Sequence, residues 1–341
     1  MTRWPVLRVL WPASILFQAL VRARAWAYRR GILRQRRLDG VVISVGNLTV
    51  GGTGKTPMVM WVVERLLGEG KRVGILTRGY RGPRQPDKQG RRVSDEVAVV
   101  RARLGAKAQF GIGAARYEKG LMLARHGVGW FVLDDGFQHL QLARDADIVL
   151  IDARDPFGGG HLLPAGRLRE PRSALARADI LVITRSEHAP AVEAVVRRHT
   201  SAPIFYAQTE LERVLAVGGN TVSPAPVEAR GKKVFAFCGI GNPAAFFEDL
   251  RRWGTQIAGS AVYRDHHRYS RRDAEDLETR AQAVGAEALI CTEKDVYNVE
   301  GVEFKPLPVL YCRIALRLLD GETFWHRMME TIERKRTGSR P

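Results

Sequence analysis

The chain is poor in cysteine: Cys238, Cys291 and Cys312 are its three thiols in 341 residues, and no two form a Cys-x-x-Cys pair. A disulfide framework and a cysteine-based zinc site are thereby excluded, and the composition fits a reducing compartment. Long apolar runs are missing too. The run 9–21 is broken by Pro12 and Gln18 and falls short of the ~20 apolar residues that a spanning helix needs. Acidic residues are absent before Asp39, whereas Arg3, Arg8, Arg22, Arg24, Arg29, Arg30, Arg34, Arg36 and Arg37 all lie in that stretch. The remaining composition, 45% hydrophobic and 26% charged, is that of a globular protein of two domains or one large one, not a disordered or polytopic membrane chain. Against 36 acidic residues stand 54 basic ones, a net charge of +18, with arginine far ahead of lysine. Arginine pairs bidentately with phosphate, so the balance fits nucleic acid, an anionic membrane or a phosphorylated substrate; codon bias produces it as well.

Within the first forty residues Pro12 suits the first turn of a helix ending at Gly31. On a helical wheel Leu16, Leu20, Ala23 and Ala27 form one stripe. Phe17, Val21 and Tyr28 flank it on one side and Ile15, Ala19 and Trp26 on the other, with Gln18, Arg22 and Arg29 opposite. A wide apolar face edged by Trp and backed by Arg is the pattern of an interfacial membrane helix. A helix packed on the protein's own core shows a similar wheel. A signal peptide is suggested by Ala25-Trp26-Ala27 but conflicts with the phosphate-binding loop that follows, and a nucleic-acid arm conflicts with three tryptophans in apolar surroundings.

From residue 40 to 200, apolar runs at 41–45, 73–76, 130–133, 148–151 and 180–183 read as buried parallel strands, and 57–67, 95–104 and 114–125 carry helical spacing. This is the βα alternation of a doubly wound sheet. A Pro/Gly-rich stretch at 217–226 separates it from a second α/β pattern, with strands expected at 234–238, 261–263, 288–291 and 309–312. The sequence therefore predicts an α/β, P-loop NTPase-like fold with a doubly wound, mostly parallel sheet and a second, smaller α/β domain. The expected parts are an amphipathic helix at 1–37, a kinase domain at 38–210, a linker at 211–230 and a C-terminal domain at 231–330.

Thr49-Val50-Gly51-Gly52-Thr53-Gly54-Lys55-Thr56 follows the first strand and opens a helix. Its glycines let backbone N–H groups approach phosphate oxygens, Lys55 reaches the β- and γ-phosphates, and the Thr56 hydroxyl faces Mg²⁺. Thr49 stands where the generic pattern has Gly. A second metal-side carboxylate is expected at the tip of a neighbouring strand, where 130–133 ends in Asp134 and Asp135. Arg78-Gly79-Tyr80 follows another strand end, on the rim where open α/β sheets bind ligands; a phosphate clamp and a plain surface loop both fit it. Asp95 opens a helix, which a capping role explains. In the second half, Gly239-Ile-Gly-Asn-Pro243 has the outline of a phosphate turn. Tyr263-Arg-Asp-His-His-Arg-Tyr269 offers a histidine general base beside a carboxylate, and Lys294 and Asp295 end a strand facing the interdomain cleft.

Other nucleotide-binding classes fit poorly. A GTPase needs Asp three positions before Gly136, where Leu133 stands, and an Asn/Thr-Lys-x-Asp guanine motif, whereas Asp295 directly follows Lys294. Partitioning ATPases carry a second lysine where this chain has Val50. A kinase remains.

The series Val45-Gly-Asn-Leu-Thr-Val-Gly-Gly-Thr-Gly-Lys-Thr-Pro57, Arg78-Gly-Tyr80, Ser94-Asp-Glu96, Leu133-Asp-Asp-Gly-Phe-Gln-His139, Leu163-Pro-Ala-Gly166 with Leu168-Arg-Glu-Pro171, Asp265-His266 and Thr292-Glu-Lys-Asp295 resembles, in this order, the tetraacyldisaccharide 4′-kinases. The similarity spans roughly residues 1–330. Thr49 matches that family, and Tyr263 stands where the family commonly has Phe. The resemblance implies transfer of the ATP γ-phosphate to the 4′-hydroxyl of a tetraacyldisaccharide 1-phosphate in lipid A biosynthesis. It implies a peripheral enzyme on the cytoplasmic face of the inner membrane, with a membrane-embedded glycolipid as substrate, Mg²⁺ as cofactor, no nucleic acid and no obligate protein partner. By the same resemblance Asp95 and His266 form the catalytic pair, assembled on domain closure, and Arg78, Tyr80, Gln138, His139 and Lys294 are candidate substrate contacts. A soluble P-loop kinase of another small molecule and a membrane-docked regulatory ATPase are the alternatives.

Overall fold

A computed structural model describes residues 4–79, 85–86, 92–217 and 228–338. Tyr80 and much of the expected linker fall outside them. The elements run α1 (Trp4–Arg29), β1 (Val41–Asn47), α2 (Lys55–Gly68), β2 (Val73–Thr77), the antiparallel pair β3 (Gln85–Pro86) and β4 (Arg92–Val93), α3 (Asp95–Leu104), β5 (Gln109–Ile112), α4 (Arg116–Arg125), β6 (Trp130–Asp134) and β7 (Ala146–Asp152). They continue with β8 (Ile180–Thr184), α5 (Pro190–Arg197), β9 (Ile204–Ala216), β10 (Lys233–Cys238), α6 (Pro243–Arg252), β11 (Gln256–Val262), α7 (Arg271–Ala283), β12 (Ala288–Thr292), α8 (Glu293–Asn298), β13 (Val309–Leu318) and α9 (Gly321–Thr337). Most apolar runs expected as strands form strands one or two residues longer than the runs themselves, whereas β11 begins before the expected 261–263 and stops at Val262, and β13 runs past 312 to Leu318. The helix at 95–104 has the predicted bounds. β5 and β9, like the two-residue strands β3 and β4, carry no long apolar run. The first helix starts earlier than Pro12 predicts, so this proline lies inside α1 rather than in its first turn, and Gly31 follows the helix at φ 71°.

The chain divides into two compact units. The first comprises Met1–Arg78, Leu104–Gln208 and Leu316–Pro341. Its strands lie in the order β9-β8-β7-β1-β6-β2-β5, parallel at every pairing between β8 and β5. β1 is central: Val45 pairs with Asp134 of β6 on one side and with Ile148 of β7 on the other. Strands buried on both faces are mostly apolar, and the seven residues of β1 and of β7 are all buried, Ser44, Asn47, Asp147 and Asp152 included. Crossovers leave the two sides of β1 in opposite directions, and such a reversal opens a ligand crevice at the carboxyl end of the strand. Two glycines let the chain close around this end. A Cβ on Gly46 would lie 2.6 Å from the Phe137 Cβ, and one on Gly136 would lie 2.6 Å from the Ser44 hydroxyl. The C-terminal helix α9 belongs to this unit, not to the C-terminal domain that the sequence suggested up to residue 330. The reason is aromatic packing: Phe324 meets Trp61 of α2 at 5.5 Å and Phe205 of β9 at 5.3 Å between ring centroids, both edge-on.

The second unit comprises Gly79–Arg103 and Thr209–Ala315, with strand order β11-β10-β12-β13-β9. Alternation along β10 serves two cores, Phe235 and Phe237 on one face and Val234, Ala236 and Cys238 on the other. All three cysteines are buried free thiols, and burial pushes Cys238 and Cys312 up to about 12. Residues 79–103, expected with the kinase domain, group with this unit because α3 is anchored there by charge. Arg103 is buried against Glu293, its Nη1 donates to the Ile314 carbonyl at 2.8 Å, and Arg313 approaches Glu293 at 3.3 Å. Removing one partner of a buried pair strands the other charge. Glu293→Ala is therefore expected to lower unfolding free energy by about 3 kcal/mol in chemical denaturation, whereas Arg103→Met with Glu293→Leu recovers most of that loss. Equal destabilisation by single and double variants would contradict the anchoring role.

Candidate active site

In the first unit, β1 hands over to α2 through the loop 48–54. Gly51 (φ 125°) and Gly54 (φ 87°) take backbone conformations that only glycine adopts freely, and Gly54 caps α2 without any side-chain bond. The positive end of the α2 dipole at this glycine suits an anion. The loop is braced by a second segment: the Val50 N–H donates to the Arg167 carbonyl, the Arg167 guanidinium donates back to the Val50 carbonyl, and the Arg169 N–H donates to the Leu48 carbonyl. Thr49 and Thr53 are buried, Val50 is exposed, and the Thr184 hydroxyl holds the Thr53 carbonyl at 3.1 Å.

Lys55 Nζ reaches the Asn47 Oδ1 at 3.2 Å and the Gly51 carbonyl at 3.3 Å, and lies 3.8 Å from Asp135. Asp135 sits at φ 49°, strained for a non-glycine residue, and takes both of its oxygens to Arg169 Nη1, at 2.8 and 2.6 Å. Burial works against its charge, but Lys55 and Arg169, with Arg116, outweigh burial and hold the carboxyl below the usual range. Its neighbour Asp134, opposite Val45, accepts a hydrogen bond from the Thr77 hydroxyl at 3.0 Å. Gln138 donates to the Asn47 carbonyl at 3.0 Å and lies 3.4 Å from Arg169, so it ties the strand tip together. Burial, followed by the positive charges of Arg116, Arg144, Arg24 and Arg78, pushes His139 down to about 4, which leaves its imidazole neutral.

No cluster of three or more His, Cys, Asp or Glu ligands occurs among the described residues. Mg²⁺ seldom uses such a cage. It keeps water and phosphate oxygens and takes one or two protein carboxylates, a donor set that the Thr56 hydroxyl and the carboxylates ending β6 match.

In the second unit Asp95 and His266 are already together. His266 Nδ1 lies 2.8 Å from Asp95 Oδ2, and the other carboxylate oxygen accepts the Glu96 N–H at 2.8 Å. The capping reading and the catalytic reading of Asp95 thus each claim one oxygen. Because both residues belong to the unit that Arg103 anchors, the expectation that the pair assembles only on domain closure is corrected. His266 stands at φ 60°, and with Asp135 and Arg185 it makes up the non-glycine residues of positive φ among those described. The Gly239 carbonyl accepts the His266 N–H at 3.0 Å, and a Cβ on Gly239 would come within 2.9 Å of the Arg264 carbonyl. Residues 239–243 therefore seat the histidine loop and cap α6 through Asn242.

Lys294 pairs with Glu96. Asp295, expected to face a cleft, is fully buried; it forms a capping box with Thr292 and accepts bonds from the Gly239 N–H at 2.9 Å and the Tyr269 hydroxyl at 3.0 Å. Tyr263 stacks on His267 at 4.6 Å between centroids, and His267 lies 3.3 Å from Asp273, so the second histidine is structural. Sequence reasoning passed over Asn47, Arg116, Arg169 and Asn298. Arg169 carried a signal within the quoted Leu168-Arg-Glu-Pro171 run, and Asn47 within the run before the phosphate loop.

The family model for LpxK, tetraacyldisaccharide-1-P 4′-kinase, matches residues 6–333. The chain belongs to the tetraacyldisaccharide 4′-kinase family. Curated relatives of that name from Geobacter sulfurreducens and Geobacter metallireducens are each 40% identical, covering 91% and 92% of this chain and 88% and 95% of their own lengths. A crystal structure of LpxK from Aquifex aeolicus in complex with ATP superposes with a TM-score of 0.73 at 30% identity, over 96% of this chain and 99% of that one.

The hydrogen bond that the His266 imidazole donates to the Asp95 carboxylate lifts it above the ordinary 6.5. The charges of Asp95 and Asp265 add to it, while burial and Lys294 oppose it. Asp95 itself is held below its usual value: burial works to raise it, and the His266 bond and the Lys294 charge prevail. A raised histidine stabilises the fold fully below pH ~6.5 and loses that contribution as pH climbs through the folded value. An NMR titration is expected to place the His266 imidazole above 6.5 and to find it lower in Asp95→Asn; an unmoved titration would contradict the pairing.

Proposed function

We propose that this chain carries out the family reaction, ATP-dependent 4′-phosphorylation of tetraacyldisaccharide 1-phosphate in lipid A biosynthesis, with His266 and Asp95 as its catalytic pair. The observation that carries the reading is the 2.8 Å contact in which His266 Nδ1–H donates to the Asp95 carboxylate, which leaves Nε2 as the nitrogen able to accept a proton. The 4′-hydroxyl gives its proton to Nε2 as its oxygen bonds to the γ-phosphorus. The bond from that phosphorus to the β,γ-bridging oxygen breaks, and ADP leaves with the electron pair. Asp95 fixes the imidazole tautomer and balances the imidazolium that forms.

Residues 49–56 bind the triphosphate, with Lys55 on its β- and γ-phosphates; its Asn47 and Gly51 contacts hold the ammonium ready at the loop. Mg²⁺, when bound with the nucleotide through Thr56, Asp134 and Asp135, neutralises phosphate charge. Arg78, Tyr80, Gln138, His139 and Lys294 serve the acceptor side. Phosphoryl transfer is mostly positioning and charge neutralisation, so a single aligned base suffices for the protein's part.

The enzyme works as a peripheral protein on the cytoplasmic face of the inner membrane, docked through α1. No described helix is long and apolar enough to cross a membrane. On α1, however, Ile15, Leu16 and Leu20 are more than half exposed and Trp26 nearly so, while Ser14 bonds to the Leu162 carbonyl and the Ala165 N–H. One side is held by the protein, and an apolar side is left for lipid, with arginine near an anionic surface adding ~1 kcal/mol per side chain.

With γ-³²P-labelled ATP and a detergent-solubilised disaccharide lipid, label is expected in the lipid. His266→Ala and Asp95→Ala should lower turnover by about 10²–10⁴ while nucleotide binding persists, whereas Lys55→Ala should impair nucleotide handling. Wild-type turnover in the first two variants would remove the catalytic pair. Leu16→Glu with Leu20→Glu should reduce co-sedimentation with anionic vesicles by at least about tenfold, and unchanged binding would remove α1 as the docking element.

A further inference from the structure

α8 presents two side chains, one helical turn apart, to the first two residues of α3. Lys294 pairs with Glu96, and Asn298 lies against Asp95. Asn298 is 2% exposed, and its Nδ2 stands 3.5 Å from Asp95 Oδ2, the oxygen that engages His266. Nδ2 is also 3.5 Å from the Lys294 carbonyl, while Oδ1 is buried with no hydrogen-bond partner among the described residues. A buried amide oxygen without a partner is costly. Reversing the amide would set that oxygen against a carboxylate, so the charge on Asp95 dictates which end faces it. The backbone of the same residue holds the other half of the pair: the Asn298 carbonyl accepts the Tyr269 N–H at 3.1 Å, at the end of the loop that carries His266. α8 is itself fixed to that loop by Asp295, which bonds Gly239 and Tyr269.

We propose that Asn298 is a positioning residue for the phosphoryl transfer: it orients the Asp95 carboxylate through its side chain and the His266 loop through its backbone. The inference rests on the catalytic reading of Asp95 and His266. Asn298 touches no reacting atom. It supplies a second donor to Oδ2 and limits rotation of the carboxylate about its Cβ–Cγ bond, so that the imidazole is met in one geometry. Besides Asp95 on α3, the charged groups facing His266 are Asp265, 3.8 Å from Nε2 on its own loop, and Lys294 from α8 with its partner Glu96. None of these is altered by a change at position 298.

The test compares Asn298→Ala and the near-isosteric Asn298→Asp with wild type. Loss of the donor leaves the Asp95 charge less compensated, and a carboxylate at 298 adds a second negative charge. The imidazole of His266 should therefore titrate higher in Asn298→Ala and higher still in Asn298→Asp. Turnover should fall about tenfold or more, with the KM for ATP unchanged, because position 298 is no part of the nucleotide loop. An unmoved titration and unchanged turnover in either folded variant would overturn the proposal. A measurement that keeps Asn298 in place guards against misfolding: with ¹⁵N-labelled asparagine, the Asn298 side-chain amide resonance should move between wild type and Asp95→Asn, and a fixed resonance would also overturn it. Asp95→Asn and His266→Ala are assayed alongside. If they retain turnover, the catalytic reading fails; if they lose it while the Asn298 variants do not, this inference alone fails.

Discussion

One carboxylate, Asp95, sets the terms for the second unit. It is buried at the start of a helix, where an unpaired charge costs several kcal/mol, so each of its oxygens needs a donor. One takes the Glu96 N–H, a local bond that any helix start supplies. The other takes an imidazole from a residue 171 positions later. Meeting that demand requires α3 to stay with β10–β13, which Arg103 and Glu293 secure, and a histidine loop bent through φ 60°, which Gly239 and Asp295 secure. Stability and the proposed chemistry thus make the same demand here: the contacts that satisfy a buried charge are also those that hold the His266 imidazole.

The first unit solves a different electrostatic problem. Lys55, where the glycine-rich loop enters α2, carries a positive charge that needs a resting place. Asn47, the Gly51 carbonyl and Asp135 provide one, while Arg169 takes the Asp135 carboxylate from the other side. Arg167 and Arg169 brace the phosphate loop from outside. The segment that carries them reaches Ser14 of α1 through Leu162 and Ala165, so the nucleotide loop and the exposed apolar helix rest on one hydrogen-bonded piece of chain.

Much of this was legible in the sequence because it is local. Apolar runs marked β1, β2, β6, β7 and β8, and a glycine-rich turn between a strand and a helix marked the phosphate loop. Asp134 and Asp135 were legible as acids ending a buried strand. What the residues alone left open was long-range. Asp95 carries the signature of a helix cap, and it does serve as a local acceptor; the 263–269 run offered a histidine base, but only the family resemblance paired His266 with Asp95. The grouping of 79–103 with the second unit turns on Arg103 finding Glu293, and the return of α9 to the first turns on Phe324 finding Trp61 and Phe205. No periodicity records such pairings. β9 was missed because its burial alternates instead of running continuously apolar, and Asn298 because a lone asparagine at a helix end signals nothing beyond a cap.

The central claim is that an imidazole held by Asp95 takes the acceptor's proton. The most direct test is the pH profile of kcat/KM for the lipid at saturating nucleotide, in wild type and in Asp95→Asn. The account predicts an acidic limb governed by a histidine above 6.5 that moves to lower pH, at greatly reduced rate, when the carboxylate becomes an amide. A limb that keeps its position in Asp95→Asn would contradict it.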